Sequence, residues 1–217
     1  MTQTYSEKPA SYFGNARVEI EPLLGPTAER VLEVGCGAGQ TMHWLKQTGR
    51  AERGWGLELF ESAALAAREH FEVVQVGDAE ALIDSVFEGM QFDLILCLDV
   101  LEHMVDPWAF VRALRQLLAP GGRLVISVPN VRCLKVLLPL AFLGRWRYAD
   151  DGILDRTHLR FFTREGALSM LSSTQWRVER CIGHRPAGSR LVMLHRMLLG
   201  LLPDLTAKQY LVAATGS

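Results

Sequence analysis

A glycine-rich stretch near the start of the chain, residues 30–40 (RVLEVGCGAGQ), limits the fold more than any other feature of the sequence. Val31, Leu32 and Val34 form the continuous apolar run of a strand that is buried on both faces. Three glycines follow at every second position, where positive φ angles and close approach of a ligand to the backbone are allowed. The next segment has the pattern of a helix whose free N–H groups face the turn. The stretch therefore predicts a strand–turn–helix unit of an α/β fold with a ligand at its turn.

The spacing of these glycines distinguishes this turn from the dinucleotide-binding turn. The dinucleotide fingerprint is G-x-G-x-x-G/A, but counted from Gly35 its third glycine position falls on Gln40. The sequence has E-x-G-x-G-x-G instead, which begins at Glu33. This spacing disfavours a nicotinamide-dependent dehydrogenase. The turn could instead bind another cofactor. The structural alternative is a tight turn that binds no ligand.

Composition and charge limit the class of protein. The 217 residues are enough for one α/β domain with a full core. A formal net charge of -1 provides no overall field for nucleic acid. The four cysteines are scattered without a C-x-x-C pair, so they indicate neither zinc nor a disulfide framework, and residues 1–10 are too polar for a signal peptide. We therefore expect one domain over residues 1–217, cytoplasmic, without a metal and without a nucleic-acid partner.

Strand and helix patterns alternate along most of the chain. Apolar runs and alternation predict strands at 31–34, 54–59, 71–76, 92–98, 123–128, 176–182 and 209–214. Helical spacing and capping signals predict helices at 41–47, 61–70, 79–87, 108–118 and 164–172. A further helical pattern covers residues 11–24, where Tyr12 is a candidate for covering a cofactor.

Polar side chains follow the ends of the predicted strands, where ligands bind in open α/β sheets. Glu58, at the end of the second strand, can accept both hydroxyls of a ribose because a carboxylate has lone pairs and no donors; a solvated surface position is the alternative. Asp78, after the third strand, can accept a hydrogen bond from an exocyclic amine, and it can also cap the helix that follows. Asp99 and His103 follow the fourth strand.

In their order and spacing these motifs resemble the class I S-adenosylmethionine (SAM)-dependent methyltransferases. The stretches that match are E-x-G-x-G-x-G from Glu33, Glu58, G-D-A from Gly77, F-D at 92–93, D-V-L-E-H at 99–103 and P-G-G at 120–122. D-V-L-E-H and the block D-R-T-H-L-R-F-F-T at 155–163 resemble the subgroup that contains ubiquinone-biosynthesis and polysaccharide-associated O-methyltransferases. The resemblance spans residues 10–185. It implies an α/β fold with a Rossmann-like, doubly wound sheet of seven mostly parallel strands and a reversed C-terminal hairpin.

The resemblance also implies SAM as the cofactor. The glycine turn would hold its methionine part, Glu58 the ribose and Leu59 one adenine face, while Asp78 would bind the adenine edge. The implied cofactor-binding residues are Glu33, Gly35, Cys36, Gly37, Gly39, Glu58, Leu59, Asp78, Ala79, Cys97 and Leu98.

A general base would help transfer to a hydroxyl group, and few residues can serve. His158, in the block 155–163, titrates near neutral pH and is the first candidate; a packing role is the alternative. His103 is the rival base, or else a residue that orients the site. Asp99, near the amino group of the cofactor or the reacting centre, completes the candidate catalytic set.

Two arginines in the same block are candidates for binding the acceptor. Arg156 and Arg160 could clamp a carboxylate or a phosphate. Alternatively, they form a surface ion network with Asp155.

Two apolar segments, 131–146 and 191–205, carry none of these motifs, and neither reaches the ~18 apolar residues of a membrane-spanning helix. The first has a basic rim. It fits a membrane-surface helix, a lid over an apolar acceptor, or a helix packed on the sheet or in a dimer contact. We interpret both as helical substrate or lid insertions, at 131–160 and 187–205, that could also mediate peripheral membrane contact or a homodimer.

The sequence therefore predicts a SAM-dependent methyltransferase. The main hypothesis is O-methylation of a small-molecule, glycan or lipid-linked acceptor. An N- or carboxyl-methyltransferase on the same fold and a non-catalytic SAM-binding partner protein are the alternatives.

Overall fold

The structure, a computed structural model, describes residues 15–188, 190–197 and 202–216. Its strands are β1 (Ala28–Val34), β2 (Ala51–Glu58), β3 (Val73–Val76), β4 (Phe92–Leu98), β5 (Leu118–Pro129), β6 (Trp176–His184) and β7 (Gln209–Gly216). Its α-helices are α1 (Gln40–Gln47), α2 (Glu61–Ala67), α3 (Ala79–Val86), α4 (Pro107–Leu114), α5 (Leu134–Leu143), α6 (Arg164–Ser173), α7 (Arg190–Met197) and α8 (Pro203–Thr206). Short 3₁₀ helices cover Val18–Leu23, Leu101–His103 and Arg115–Leu117.

All seven strands form one sheet in the order β3-β2-β1-β4-β5-β7-β6. The pairs among β1 to β5 are parallel. Strand β7 runs antiparallel to both β5 and β6, so the other six strands share one direction. The predicted seven-stranded, mostly parallel sheet with a reversed final hairpin is confirmed.

Strand β4 shows why the central strands have continuous apolar sequences. Ile95 and Cys97 pack in the hydrophobic core on one face of the sheet, and Leu94 and Leu96 pack in the core on the other. Because both faces of the sheet are covered, the run from Leu94 to Leu98 is apolar at every position.

The order of the strands positions a ligand site. β1 lies between β2 and β4, and this is where the chain reverses the direction in which it adds strands. Crevices at such a switch point, outside the carboxyl ends of the strands, are where open α/β sheets bind ligands. The turns after β1, β2 and β4 therefore meet at one edge.

The segment before β1 differs from its prediction. In the described part of the predicted helix, residues 15–24, the chain forms only the 3₁₀ helix Val18–Leu23, with Pro22 inside it. A proline removes one backbone donor and restricts the preceding residue, which opposes a regular α-helix. Ile20 and Leu23 are buried in the core all the same. Tyr12 lies outside the described residues.

The two apolar segments emerge at the carboxyl edge of the sheet. α5 follows β5, and Val136 packs with Cys133 and Ile153 in a small cluster of its own rather than on the sheet. α7 and α8 lie between β6 and β7, and residues 198–201 of this segment are outside the described ranges. Within the described ranges, no helix has the length and apolar character needed to cross a bilayer.

Candidate active site

A cleft of about 780 Å³ opens at the carboxyl ends of β1, β2 and β4, a size typical of ligand sites. One wall consists of the glycine turn, the end of β2 and the turn between β3 and α3. A second wall, which adjoins the first at Val100 and Val105, consists of residues 99–105 and the loop 151–159. Of the predicted site residues, those that line the cleft are Glu33, Gly35, Cys36, Gly37, Glu58, Leu59, Asp78, Ala79, Leu98, Asp99, His103, Arg156 and His158.

The glycine turn depends on left-handed backbone. Gly35, Gly37 and Gly39 have φ angles of 68°, 53° and 83°, a region that residues with a side chain enter only at a cost. A Cβ at Gly35 would lie 2.5 Å from Cγ2 of Val100. Gly39 precedes α1, and a Cβ there would lie 3.1 Å from Cα of Ala67. Gly35 and Gly37 therefore shape the cleft, whereas Gly39 lets α1 pack closely.

Glu58 connects this turn to β2. It is 5% exposed; its Oε2 accepts the N–H of Gly37 at 2.8 Å and its Oε1 accepts the N–H of Phe60 at 3.1 Å. Burial raises the pKa of Glu58, and the backbone donors oppose that shift. The residue is buried rather than solvated, and it faces the cleft.

The turn between β3 and α3 forms the outer end of the same wall. Asp78 caps α3 by accepting the N–H of Glu80 at 2.9 Å. The carboxylate of Glu80 accepts the N–H groups of Val105 and Asp106 at 2.8 and 2.7 Å. Asp78 thus caps a helix and lines the cleft at once, while Leu59, 45% exposed, offers an apolar surface beside it.

Glu33 brings a buried polar atom to the cleft. The side chain is 3% exposed, and its Oε2 has no hydrogen-bond partner among the described residues. Burial raises the pKa of Glu33 to about 8, against the opposing effects of the Thr41 hydroxyl and of Arg17. Cys97, which lies opposite Val34 on the neighbouring strand, is fully buried and does not line the cleft.

Arg17 is a site residue that the sequence analysis missed. Its guanidinium pairs with Oδ2 of Asp99 at 2.8 Å and donates to Oγ of Ser127 at 3.3 Å. Ser127 in turn donates to Oδ1 of Asp99 at 2.6 Å, and Asp99 has a left-handed φ of 56°. The N–H of Arg17 donates to the Thr41 hydroxyl at 3.3 Å. These contacts hold Arg17 over the glycine turn, and none of them follows from a local motif.

The imidazoles of His103 and His158 lie on the second wall of the cleft. His158 is 7% exposed, and its Nδ1 lies 3.0 Å from the carbonyl of Ile153. His103 has its Nδ1 3.1 Å from the carbonyl of Thr157. A carbonyl only accepts, so we assign the hydrogen of each neutral ring to Nδ1, and Nε2 is then the ring nitrogen that carries a lone pair.

The two rings have different electrostatic surroundings. Their centroids are 4.7 Å apart, and burial together with His158 lowers the pKa of His103 to about 4. His103 is therefore neutral near pH 7. Nε2 of His158 lies 3.9 Å from Oε1 of Glu102.

Glu102 is the second residue whose part in the site was not predicted. It is 1% exposed, and neither carboxylate oxygen has a hydrogen-bond partner in the described ranges. Burial and the nearby Asp99 raise its pKa well above the usual value. Single atoms of Glu102, His103 and His158 lie within 4.8 Å of one another. A carboxylate and two imidazoles at this spacing can share a proton or hold a metal ion.

The predicted substrate arginines separate in space. Arg156 lies at the rim of the cleft and pairs with Asp150. Arg160 is exposed away from the cleft and donates to the carbonyl of Val105. Asp155, the acid of the alternative ion network, is buried rather than on the surface: it is 1% exposed and accepts the N–H and the hydroxyl of Thr157.

This strand order, with a glycine turn and a buried carboxylate at its switch point, is that of the Rossmann-like class of α/β proteins. The family described as "Methyltransferase domain" matches residues 11–180. The chain therefore belongs to the methyltransferase-domain family, and the predicted resemblance is confirmed.

Relatives and solved structures agree with this membership. The ubiquinone biosynthesis O-methyltransferase of Pseudomonas aeruginosa PAO1 is 32% identical over 115 residues, which cover 51% of this chain and 49% of that protein. That of Alkalilimnicola ehrlichii is 36% identical over 117 residues, which cover 50% and 44%. The chain thus matches about half the length of these relatives.

Solved structures show the same fold. A SAM-dependent methyltransferase from Archaeoglobus fulgidus aligns with a TM-score of 0.62 at 19% identity, over 91% of this chain and 90% of that one. One from Mesorhizobium loti aligns with a TM-score of 0.59 at 22% identity, over 89% and 92%.

The first prediction concerns Gly35. Gly35→Ala should lower the free energy of unfolding by about 2–4 kcal/mol, because the new Cβ meets Val100 in addition to the left-handed strain. Gly49→Ala is the matched control, since Gly49 has the same φ of 68° with nothing within 4 Å of its Cβ position. It should lose only about 1 kcal/mol. Urea unfolding measures both, and Gly35→Ala/Val100→Ala should recover part of the loss relative to Val100→Ala. Equal losses for the two glycines would refute the contact.

The second prediction concerns the pH dependence that Glu33 causes. Between its ordinary pKa and about 8, the folded chain keeps a proton that the unfolded chain releases, so this contribution to stability falls as pH rises. Glu33→Gln should flatten the decline of the free energy of unfolding between pH 5 and pH 8, by up to about 1.4 kcal/mol per pH unit. Glu29→Gln, at an exposed carboxylate, should leave the slope unchanged. An unaltered slope in Glu33→Gln would contradict the assignment.

Proposed function

We propose that the chain is a SAM-dependent O-methyltransferase that acts on a small-molecule, glycan or lipid-linked acceptor. The observation that carries the proposal is the pairing of two walls across one cleft. One wall has a glycine turn and buried carboxylates suited to a nucleoside with an amino-acid tail. The other has the buried imidazole of His158, whose Nε2 lies 3.9 Å from the buried carboxylate of Glu102. The names of the half-length relatives agree with transfer to oxygen.

The residues of the first wall fit the chemical groups of SAM. The unpartnered Oε2 of Glu33 needs a donor, which the ammonium group of the methionine part would supply. The guanidinium of Arg17, at the same end, suits its carboxylate. Glu58 retains lone pairs for the ribose hydroxyls. Leu59 and Asp78, at the outer end, suit the face and the edge of the adenine.

When bound, SAM supplies a methyl group on a positively charged sulfur, which is a good electrophile. The protein contributes alignment of the acceptor and exclusion of water. His158 takes the hydroxyl proton of the acceptor at Nε2, a contribution of about 10²–10⁴-fold. Glu102 faces the imidazolium that results, and His103 stays neutral and holds the ring of His158 in place. Asp99 orients Arg17 at the cofactor end of the cleft.

Two other functions use the same cleft differently. A carboxylate or neutral-amine acceptor needs no base, so His158 would then only pack. A non-catalytic SAM-binding protein would bind the cofactor without turnover, with the cleft or the exposed apolar segments serving a partner.

We further propose that the segments 131–160 and 187–205 are insertions of a single domain, with the first forming the acceptor side of the cleft. Arg156, at the rim, would meet an anionic group of the acceptor; Arg160 would act only from the outer surface. We propose a cytoplasmic location and no nucleic-acid partner. The exposed apolar segments would make a contact outside the cleft, with a membrane or with a second copy of the chain.

The third prediction tests the cofactor. S-adenosylhomocysteine or SAM at 100 times its Kd should add about 2.7 kcal/mol of stability. For a chain of this length the unfolding midpoint should rise by about 5–10 °C in a thermal scan, and NAD should leave it unchanged. Glu58→Ala should lose most of the rise, whereas the exposed Glu61→Ala should keep it. A rise with NAD alone would refute the proposal.

The fourth prediction tests the base. Purified enzyme and labelled SAM are offered pools of alcohols and phenols, of carboxylic acids and of amines. With a hydroxyl acceptor, His158→Asn should lower kcat by about 10²–10⁴-fold while the thermal rise with S-adenosylhomocysteine persists. Methylation confined to acids or amines, with kcat unchanged in His158→Asn, would favour the N- or carboxyl-methyltransferase. Cofactor binding with no turnover on any pool would favour the non-catalytic protein.

A further inference from the structure

The outer face of α5 is apolar and exposed. Leu138 and Phe142, on the side of the helix opposite the buried Val136, are 46% and 79% exposed, and Leu140 and Leu143, farther along the side of Val136, are 41% and 60% exposed. Apart from Lys135, the helix is thus apolar around its circumference, a pattern that ordinarily belongs to a buried helix. Within the described ranges nothing covers this face, so it calls for a partner.

Basic residues predominate in the segment that carries this face, although Asp150 and Asp151 follow it directly. Residues 131–149 contain four basic residues and no acidic one, although the whole chain has a net charge of -1. Lys135, Arg145 and Arg147 are exposed. The fourth, Arg132, lies 3.7 Å from Asp204. The next acidic group along the chain, Asp150, is paired with Arg156.

We propose that α5 docks on the surface of an anionic lipid bilayer. Phe142 and Leu143, at the C-terminal tip of the helix, enter the headgroup boundary with Leu138 beside them. Lys135 and Arg145 meet the anionic headgroups. Apolar side chains flanked by Lys and Arg are the arrangement that binds a helix in the plane of such an interface.

The same charges oppose a second copy of the chain as the partner. A two-fold dimer brings the same patch of both subunits together. Contact through α5 would bring the exposed Lys135, Arg145 and Arg147 of two chains near one another. An anionic surface complements these basic residues, and a second set of them does not.

The docking face is coupled to the cleft by packing. Val136 of α5 packs on Ile153, which lines the cleft and whose carbonyl holds His158. Trp146 stacks edge-on against Phe161, with ring centroids 5.0 Å apart. A docked α5 therefore places the loop 151–159, on the acceptor side of the cleft, beside the bilayer. Docking itself does not depend on which reaction the cleft performs.

The fifth prediction uses the full chain and sedimentation with two kinds of vesicle, phosphatidylcholine alone and phosphatidylcholine with phosphatidylglycerol. The chain should bind the anionic vesicles, and salt should weaken the binding. Phe142→Ser/Leu143→Ser should reduce the partition coefficient at least tenfold. Lys135→Gln and Arg145→Gln should each reduce it about fivefold, because one basic residue contributes about 1 kcal/mol near such a surface.

Leu65→Ser is the matched control, since Leu65 is 63% exposed on α2, away from α5; it should leave the partition unchanged. All the substituted side chains are exposed, and thermal unfolding checks that each variant folds. Absence of vesicle binding, or equal binding to both kinds of vesicle, would overturn the proposal. So would a dimer in analytical ultracentrifugation that Phe142→Ser/Leu143→Ser dissociates while vesicles are not bound, since the face would then belong to a second copy.

Discussion

The cleft depends on the carboxylate of Glu58. One oxygen binds the N–H of Gly37 and the other that of Phe60, so the end of β2 holds a turn that belongs to β1. The turn requires glycine at position 35, because a Cβ there would lie 2.5 Å from Cγ2 of Val100. Without the buried carboxylate, the turn would lose a partner for a backbone donor that faces away from water. The shape of the glycine turn therefore depends on a hydrogen bond between Glu58 at the end of β2 and Gly37 after β1.

Buried ionisable groups are concentrated around this cleft. Glu33, Glu58 and Glu102 are each at most 5% exposed, and burial raises the pKa of all three. Burying a carboxylate disfavours its charged form unless a cation or a donor accompanies it. These residues therefore reduce the stability of the empty fold near neutral pH. Perturbed groups of this kind cluster at functional sites.

The strands of the sheet could be predicted from the sequence because each strand is marked by the apolar pattern of its own consecutive residues. The continuous apolar run of β4 is needed wherever helices cover both faces of a strand, and its predicted bounds match those of the structure. The positions of Glu58 and Asp78 followed from the ends of strands. Arg17 could not be found in this way, because it meets Asp99 and Ser127 only through tertiary structure. Glu102 lay within a motif, but its closeness to His158 depends on how the loop 151–159 folds back. Arg156 and Arg160 were predicted to have the same role because they stand in the same block, residues 155–163. In the structure Arg156 lines the cleft and Arg160 does not.

The loop that carries His158 is anchored in an unusual way. The backbone carbonyl of Glu102 accepts the N–H groups of both Leu159 and Arg160, at 2.7 and 3.0 Å. These two donors belong to the main chain, so almost any pair of residues at positions 159 and 160 could provide them. The loop can therefore exchange its side chains while its attachment to the segment 99–105 stays the same. A scaffold with this property can acquire a new acceptor through changes in one loop, without rebuilding the site that holds the cofactor.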